Sequence, residues 1–571
     1  MRSRLFWVII PAGALLAILP LLLRGPSCGD DFQFHLRNWL EVGAQWKQGV
    51  LLPRWDFTST WNSGEPRFVF YPPLSWSLGA LLGLILPWAA VPAAFIWLTL
   101  CACGSTMYRL AREWTGATGA LVASCFFMVN PYMLFTFMER TAFAEFLAAA
   151  WIPLLLLAIL RPRISIPGIA IPVALLWLTN DPAAVMGCYS LALLALVRVA
   201  WLWAARHQRR QAIMDAARAT IGVCLGLALS GFYLIPAIVE QGWVHIVLED
   251  VPQTSYPENF LFGHLGSVSH VAILHRVSLS SIALILLIAA FAAFAMIRRG
   301  ASAPSDRDEW RRLALIALLI LAGALSFLLT SVSAPLWRLT PELKFLQFPW
   351  RFDAVLGSIA ATLLALAFKP TTRFLPRGLA ILASTALLVS LIGGAVGNRI
   401  FRQYCGPSNS VSSILFTFER GVTHDPTDEY TPLTSLSSTI GHNNPPAWIA
   451  DAPGNPPPQT AVAPDLVSLK TRLHFTVTSP RPAYFVINLR NYPAWRVTLN
   501  GNPVTHLPHR TDGLIVVPIP AGKSVISIRY AVTPDLIAGS ILTLLAAALL
   551  LAIRKTRWLA AELPDHAMAK A

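Results

Sequence analysis

The sequence predicts an α-helical polytopic membrane protein with about twelve spans and one water-facing β-sandwich near its C-terminus. Three observations carry this. Of 571 residues, 55% are apolar and 13% charged, with a positive mean hydropathy, and a soluble chain of this size cannot bury that much apolar surface. The apolar residues fall in runs near the roughly 20 residues that cross a bilayer core. Only late in the chain does the pattern change to the period of two that marks strands.

The predicted spans are 6–23, 90–108, 117–135, 144–160, 164–179, 183–205, 217–238, 277–297, 313–330, 354–368, 379–396 and 536–553. Arg2 and Arg4 precede the first run, and Arg24-Gly25-Pro26-Ser27 offers no small-x-small cleavage site, so this run reads as an uncleaved span. The stretch 73–86 is apolar but short, lying between Pro72-Pro73 and Pro87. Charge decides its place. If it crossed, Arg109, Arg112, Arg161, Arg163, Arg206, Arg209, Arg210 and the cluster from Arg298 to Arg312 would all face outward, against the positive-inside rule. Laid on the outer surface, it leaves all of them facing the cytoplasm, together with Lys369, Arg373, Arg377, Arg554 and Lys555. The net charge of +15 is thereby accounted for by short cytoplasmic loops and needs no nucleic-acid partner.

Outer loops then cover 24–89, 136–143, 180–182, 239–276, 331–353 and 397–535, and they hold the acidic and aromatic residues. The predicted organisation is a transmembrane domain over 1–396, a β-rich domain over 397–535, and a last span with a cytoplasmic tail over 536–571. Within 397–535, Pro, Ser, Thr and Asn dominate from Pro407 to Pro464. Strands follow at 473–478, 484–489, 495–499, 513–519 and 524–530. Asn500-Gly501 between two of them predicts a type I′ hairpin. Of the seven cysteines, only Cys28 and Cys405 lie in outer segments; a disulfide between them is the less favoured reading. The others form no metal or redox motif.

The first outer loop opens Gly29-Asp30-Asp31-Phe32-Gln33-Phe34-His35, after which Phe32, Leu36, Trp39, Gly43 and Trp46 recur at helical spacing. This predicts a helix on the membrane surface with one face in lipid, capped by Asp30 or Asp31. Asn62-Ser63-Gly64-Glu65-Pro66 and Tyr71-Pro72-Pro73-Leu74 follow. An acidic pair after the first span, two surface helices and then the second span resemble the GT-C class of membrane glycosyltransferases. More closely, the chain is similar to the bacterial membrane proteins described as related to 6-pyruvoyl-tetrahydropterin synthase, a name that is no evidence of pterin chemistry. Further stretches of that resemblance are Arg140-Thr141-Ala142-Phe143-Ala144-Glu145, Trp151-Ile152-Pro153-Leu154, Leu346-Gln347-Phe348-Pro349-Trp350-Arg351-Phe352, Asp428-Glu429-Tyr430-Thr431-Pro432 and Asn491-Tyr492-Pro493-Ala494-Trp495. The acidic pair departs from the commoner Asp-Glu form, so which carboxylate acts stays open.

The resemblance implies a GT-C-like fold in the bacterial cytoplasmic membrane. It also implies inverting transfer of a sugar from a polyprenyl-phosphate-linked donor to a glycan, lipid or protein acceptor on the outer face. Chemistry makes the same demands. An attacking hydroxyl needs a carboxylate to take its proton, for which Asp31 is the expected base and Asp30 the alternative. A leaving phosphate needs cations, and Arg140, Lys344 and Arg351 stand at outer junctions against the prevailing charge bias, where interfacial snorkelling is the competing role. His35, Glu145 and Gln347 are further expected substrate contacts. A divalent metal is a possible cofactor, held by Asp31 with Glu139 or Glu145 and His35 in reserve. Glu145 would equally suit the start of its span by charge, and Asn180-Asp181-Pro182 reads as a cap between spans. Tyr492, Trp495 and Trp448 are candidates for stacking on a sugar, with core packing the stronger role for Trp495. Two other functions compete: a lipid-linked glycan transporter, which calls for charges near mid-span and inverted repeats, and a non-catalytic glycan assembly or binding protein of the cell envelope.

Overall fold

The structure, a computed structural model, describes residues 6–245, 253–297, 306–368, 376–421, 430–458, 465–469 and 472–555. Arg2, Arg4, Arg298, Arg299, Lys369, Arg373, Asp428 and Glu429 lie outside the described residues.

Among the described residues, ten helices are long and apolar enough to cross a membrane: Phe6–Arg24, Trp88–Ala111, Phe143–Leu160, Asp181–Ala205, Arg209–Leu229, Val268–Ile297, Asp308–Leu328, Pro349–Ala367, Ala380–Ile400 and Pro534–Ile553. An eleventh forms if the pair Ala117–Met128 and Pro131–Arg140, bent by 41°, counts as one. The bend has a local cause. Pro131 cannot continue a helix, and the Asn130 side chain accepts from the Met133 N–H (3.2 Å), starting a new one. The sequence reading expects about twelve, one more than these eleven. The missing member, 164–179, is the helix Ile166–Trp177, whose 12 residues fall short of a bilayer core. It still links the two ends of the bundle. Arg161 just before it pairs with Glu113, and the Leu178 carbonyl just after it accepts from the Leu74 N–H (2.7 Å). Helix starts repeat one device, a proline in the first turn where no backbone N–H is needed: Pro73, Pro92, Pro153, Pro167 and Pro182.

The two most buried spans are Pro349–Ala367 and Phe143–Leu160, 94% and 89% buried over their apolar windows. At one end of the bundle the basic loops meet, with Arg161 on Glu113 (2.5 Å), Arg198 on Asp215 (2.6 Å) and Arg206 on Glu309. The surface helices lie at the opposite end.

The first surface helix, Phe32–Lys47, packs on protein and not on lipid as expected. Phe32, Leu36 and Trp39 are buried; Trp39 stacks on Phe95 (4.9 Å) and Phe143 (5.2 Å). Gly79 of the second surface helix, Pro73–Ile85, leaves room for the Trp39 indole, which an added Cβ would meet at 2.2 Å. The short length and surface position of this second helix match the sequence reading, and its outward residues Leu81, Leu84 and Ile85 are exposed.

Near the C-terminus, eight strands among the described residues form two antiparallel sheets. In chain order they are β1 Ala447–Ala450, β2 Asp465–Leu469, β3 Arg472–Ser479, β4 Ala483–Arg490, β5 Trp495–Leu499, β6 Asn502–Pro503, β7 Leu514–Ile519 and β8 Gly522–Tyr530. Sheet orders are β1-β4-β7 and β2-β3-β8-β5-β6. Phe475, Val497 and Ile526 from one sheet and Phe485, Ile487 and Val517 from the other share a core, as a sandwich requires. Asn500 (φ 50°) and Gly501 (φ 84°) turn the β5–β6 hairpin with the two left-handed residues of a type I′ turn. Tyr492 (1% exposed), Trp495 (5%) and Trp448 (2%) are interior, so none of the three offers a sugar platform. Trp55 of the first loop reaches into the same core, against Tyr492 (5.5 Å) and Trp495 (5.4 Å). Buried Glu240 accepts from Arg54 (3.3 Å), Tyr492 (2.6 Å) and Thr533 (3.4 Å), tying loop, sandwich and last span together.

Candidate functional site

Asp31 occupies the N-cap position of Phe32–Lys47, but its side chain makes no cap hydrogen bond. Its carboxylate accepts instead from Arg140 Nη2 (3.2 Å), and its N–H donates to the Arg140 carbonyl (2.9 Å). The turn before it is clamped from both sides. Cys28 is disulfide-bonded to Cys405, contrary to the favoured reading, and the Gln403 N–H donates to Ser27 Oγ (2.8 Å). On the other side only glycine fits at 29, because a Cβ there would stand 1.7 Å from the Glu139 carbonyl oxygen.

From Arg140 the cluster runs inward. Arg140 Nη1 donates to Glu145 Oε2 (2.9 Å), Arg351 Nε donates to the same oxygen (3.1 Å), and the Tyr132 hydroxyl donates to Oε1. The Glu145 side chain is 3% exposed and Asp31 38%, so the chain of ion pairs leads from a sealed carboxylate to an open one. Burying Glu145 is tolerable because two guanidiniums and a phenol satisfy it. Its first-turn position also suits the helix dipole, but its hydrogen bonds go to Tyr132, Arg140 and Arg351. Aromatic faces complete the cation shell: Trp350 lies 4.9 Å from the Arg140 guanidinium, and Phe348 lies 4.7 Å from that of Arg351. Arg351 also donates to the Leu346 carbonyl (2.7 Å) and to Gln347 Oε1 (3.4 Å). Its Nη2 has no protein acceptor among the described residues. Lys344, half-buried, joins through its backbone carbonyl, which accepts from the Gln347 N–H (3.0 Å).

Two non-glycine residues beside these arginines hold left-handed backbone, Thr141 (φ 52°) and Gln347 (φ 60°). Each such conformation costs about 1–3 kcal/mol and persists only where its surroundings impose it. Thr141 ends the π-turn Phe135–Arg140 that aims Arg140 at Asp31.

His35, one turn along from Asp31, is buried, and its Nε2 accepts from the Phe143 N–H (3.1 Å). Burial holds its imidazole down to about 4, so it is neutral and serves the scaffold. Asp30 is exposed at the rim; desolvation by the protein beneath it and the charge of Asp31 hold its carboxyl above the usual range.

The expected metal set does not fit. Glu145 is occupied by Arg140 and Arg351, and Arg276 Nε donates to both oxygens of Glu139 (2.9 and 3.1 Å). Among the described residues no three of His, Cys, Asp and Glu come together as a metal site. Arg276 was not among the sequence candidates, although it meets the criterion that picked out Arg140: a cation at the outer end of a span. For Tyr132 the sequence carries no comparable signal. Asn180 caps its helix through the Ala183 N–H (3.0 Å), as expected of that turn.

A family model described as the 6-pyruvoyl-tetrahydropterin synthase related domain, a membrane protein, matches residues 68–399. The chain belongs to this family. The match to the 6-pyruvoyl-tetrahydropterin synthase related domain takes in Arg140, Glu145 and Arg351, while Asp30, Asp31 and His35 precede it. Among solved structures, this family member is similar to the arabinofuranosyltransferase AftD from Mycobacteria. One AftD structure, of a mutant, gives a TM-score of 0.41 at 19% identity over 70% of this chain and 28% of that one. A second gives 0.39 at 19% identity over 69% and 27%. The chain thus spans just over a quarter of AftD's length. No curated protein matches.

Proposed function

We propose that the chain is an inverting membrane glycosyltransferase of the GT-C type, moving a sugar from a polyprenyl-phosphate donor to a glycan, lipid or protein acceptor. The observation that carries this is Asp31: a part-exposed carboxylate at a helix start that makes no cap and faces Arg140. In the step proposed, the acceptor oxygen bonds to the anomeric carbon and gives its proton to Asp31, while the bond from that carbon to the phosphate oxygen breaks. The phosphate leaves as an anion toward Arg140 and Arg351, which need no proton to stabilise it. Glu145 aligns both guanidiniums, and the open Nη2 of Arg351 supplies donors for a phosphate oxygen. Asp30 is the alternative base. Asp353, buried with Ser281 donating to it, lies near one end of the span Pro349–Ala367 and not at its middle, where a transporter calls for charge.

The site faces the outside of the cytoplasmic membrane in this reading, with 397–535 extracytoplasmic. The Cys28–Cys405 disulfide supports that orientation, since such bonds persist in oxidising compartments. The test is transfer from a polyprenyl-phosphate sugar by the full chain in lipid vesicles. Asp31→Asn should lower the rate about 10²- to 10⁴-fold with insertion and folding intact. Unchanged transfer by that variant removes the mechanism.

A further inference from the structure

The main chain around Tyr71 is pinned on several sides. Its N–H donates to the Arg67 carbonyl (2.9 Å), and its carbonyl accepts from Trp76 Nε1 (3.1 Å). The preceding Phe70 carbonyl and the Asp181 carboxylate are bridged by the Tyr233 hydroxyl, at 2.7 and 2.6 Å. Three residues on, Leu74 is bound to Leu178. The ring stands edge-on to Phe34 (5.1 Å) and His35 (6.2 Å) of the helix that begins after Asp31, and Phe34 in turn lies under the buried Arg67 guanidinium (4.9 Å).

All this rigidity leaves one group over. The Tyr71 hydroxyl has no hydrogen-bond partner among the described residues, and the charges it feels are those of Asp31, Arg351, Asp181 and Arg140. Burial, with the two carboxylates, keeps the phenol protonated far above its ordinary range, so it is available as a donor. The ring is half-buried, and its hydroxyl is left for water or a ligand to satisfy.

We propose that Tyr71 contacts the substrate, donating its hydroxyl proton to an oxygen of the donor's phosphate beside Arg351 Nη2. This rests on the phosphate reading of the site and assigns it one further residue. The experiment measures binding of farnesyl phosphate and of farnesol, as probes, to the full chain in lipid nanodiscs. Tyr71→Phe should weaken farnesyl phosphate by about tenfold, the loss of one hydrogen bond to a charged group, and leave farnesol unchanged. Equal binding of farnesyl phosphate by variant and wild type overturns the role of Tyr71 and leaves the phosphate reading standing. Equal weakening of both probes overturns it as well, because the ring is then only structural. If wild type does not prefer farnesyl phosphate over farnesol, the phosphate reading itself fails and takes this contact with it.

Discussion

A helix start asks for a side chain that caps its first N–H groups, and aspartate there ordinarily does so. Asp31 stands at that position and turns away, toward Arg140. Forgoing a cap costs about 1 kcal/mol, and the ion pair gained is too exposed on the Asp31 side to be worth more by itself. Function is the better account of the departure. His35 is the complementary case, a neutral imidazole that accepts the Phe143 N–H and so holds the surface helix against the span carrying Glu145. Its ordinary pKa of 6.5 falls to about 4 through burial, so protonation favours unfolding. The stabilisation is complete above pH 6.5, declines as pH falls through that window and is gone below 4, a total of about 3 kcal/mol. Asp30, held up, acts in the opposite sense in acid. The comparison is thus between wild type and His35→Gln, whose amide accepts without titrating. Thermal midpoints from pH 7 to 4.5 should fall more steeply for wild type, and parallel profiles would remove His35 as the source.

Among elements, the strap from Ser27 to Asp31 does most to define the site. The disulfide joins it to the segment after Ala380–Ile400 across 377 positions. Replacing Cys28 and Cys405 by serine should lower stability by about 2 kcal/mol, at the low end for a disulfide because the flanking spans already restrict the loop. Transfer should fall further than stability does. A stable, fully active double variant would deny the strap any positioning role. What could be read from sequence follows from how local each signal is. Asn500-Gly501 dictates its own turn, Pro72-Pro73 and Pro87 bound the second surface helix, and Arg140 and Arg351 stand out by breaking a charge bias. The Cys28–Cys405 pairing and the convergence of Tyr132, Arg140 and Arg351 on Glu145 depend on long-range packing that no local pattern encodes. Likewise the lipid-facing expectation for Phe32–Lys47 failed because periodicity defines an apolar face and not what covers it. β1 lies inside a Pro, Ser and Thr-rich stretch that reads as loop, and β2 begins where that stretch ends.

On the scale of the whole molecule, the bundle, the first loop and the sandwich are built around one another. Trp55 enters the sandwich core, the Asn488 side chain donates to the Trp61 carbonyl (3.0 Å), and Glu240 joins three segments. The sandwich is thereby fixed on the loop whose other end carries the acidic turn, on the same end of the bundle as Arg140 and Arg351. In the proposed reaction, an acceptor reaching Asp31 from that end would pass the sandwich. Catalysis at the outer face, with Asp31 as base, is the claim on which the account depends. Its most direct measurement is mass spectrometry of cell-envelope glycans from cells whose only copy of the chain carries Asp31→Asn. The glycans should lack a sugar that wild-type cells add, as they do when the chain is absent. Full wild-type glycans in the Asp31→Asn cells, alongside their loss when the chain is removed, would contradict it.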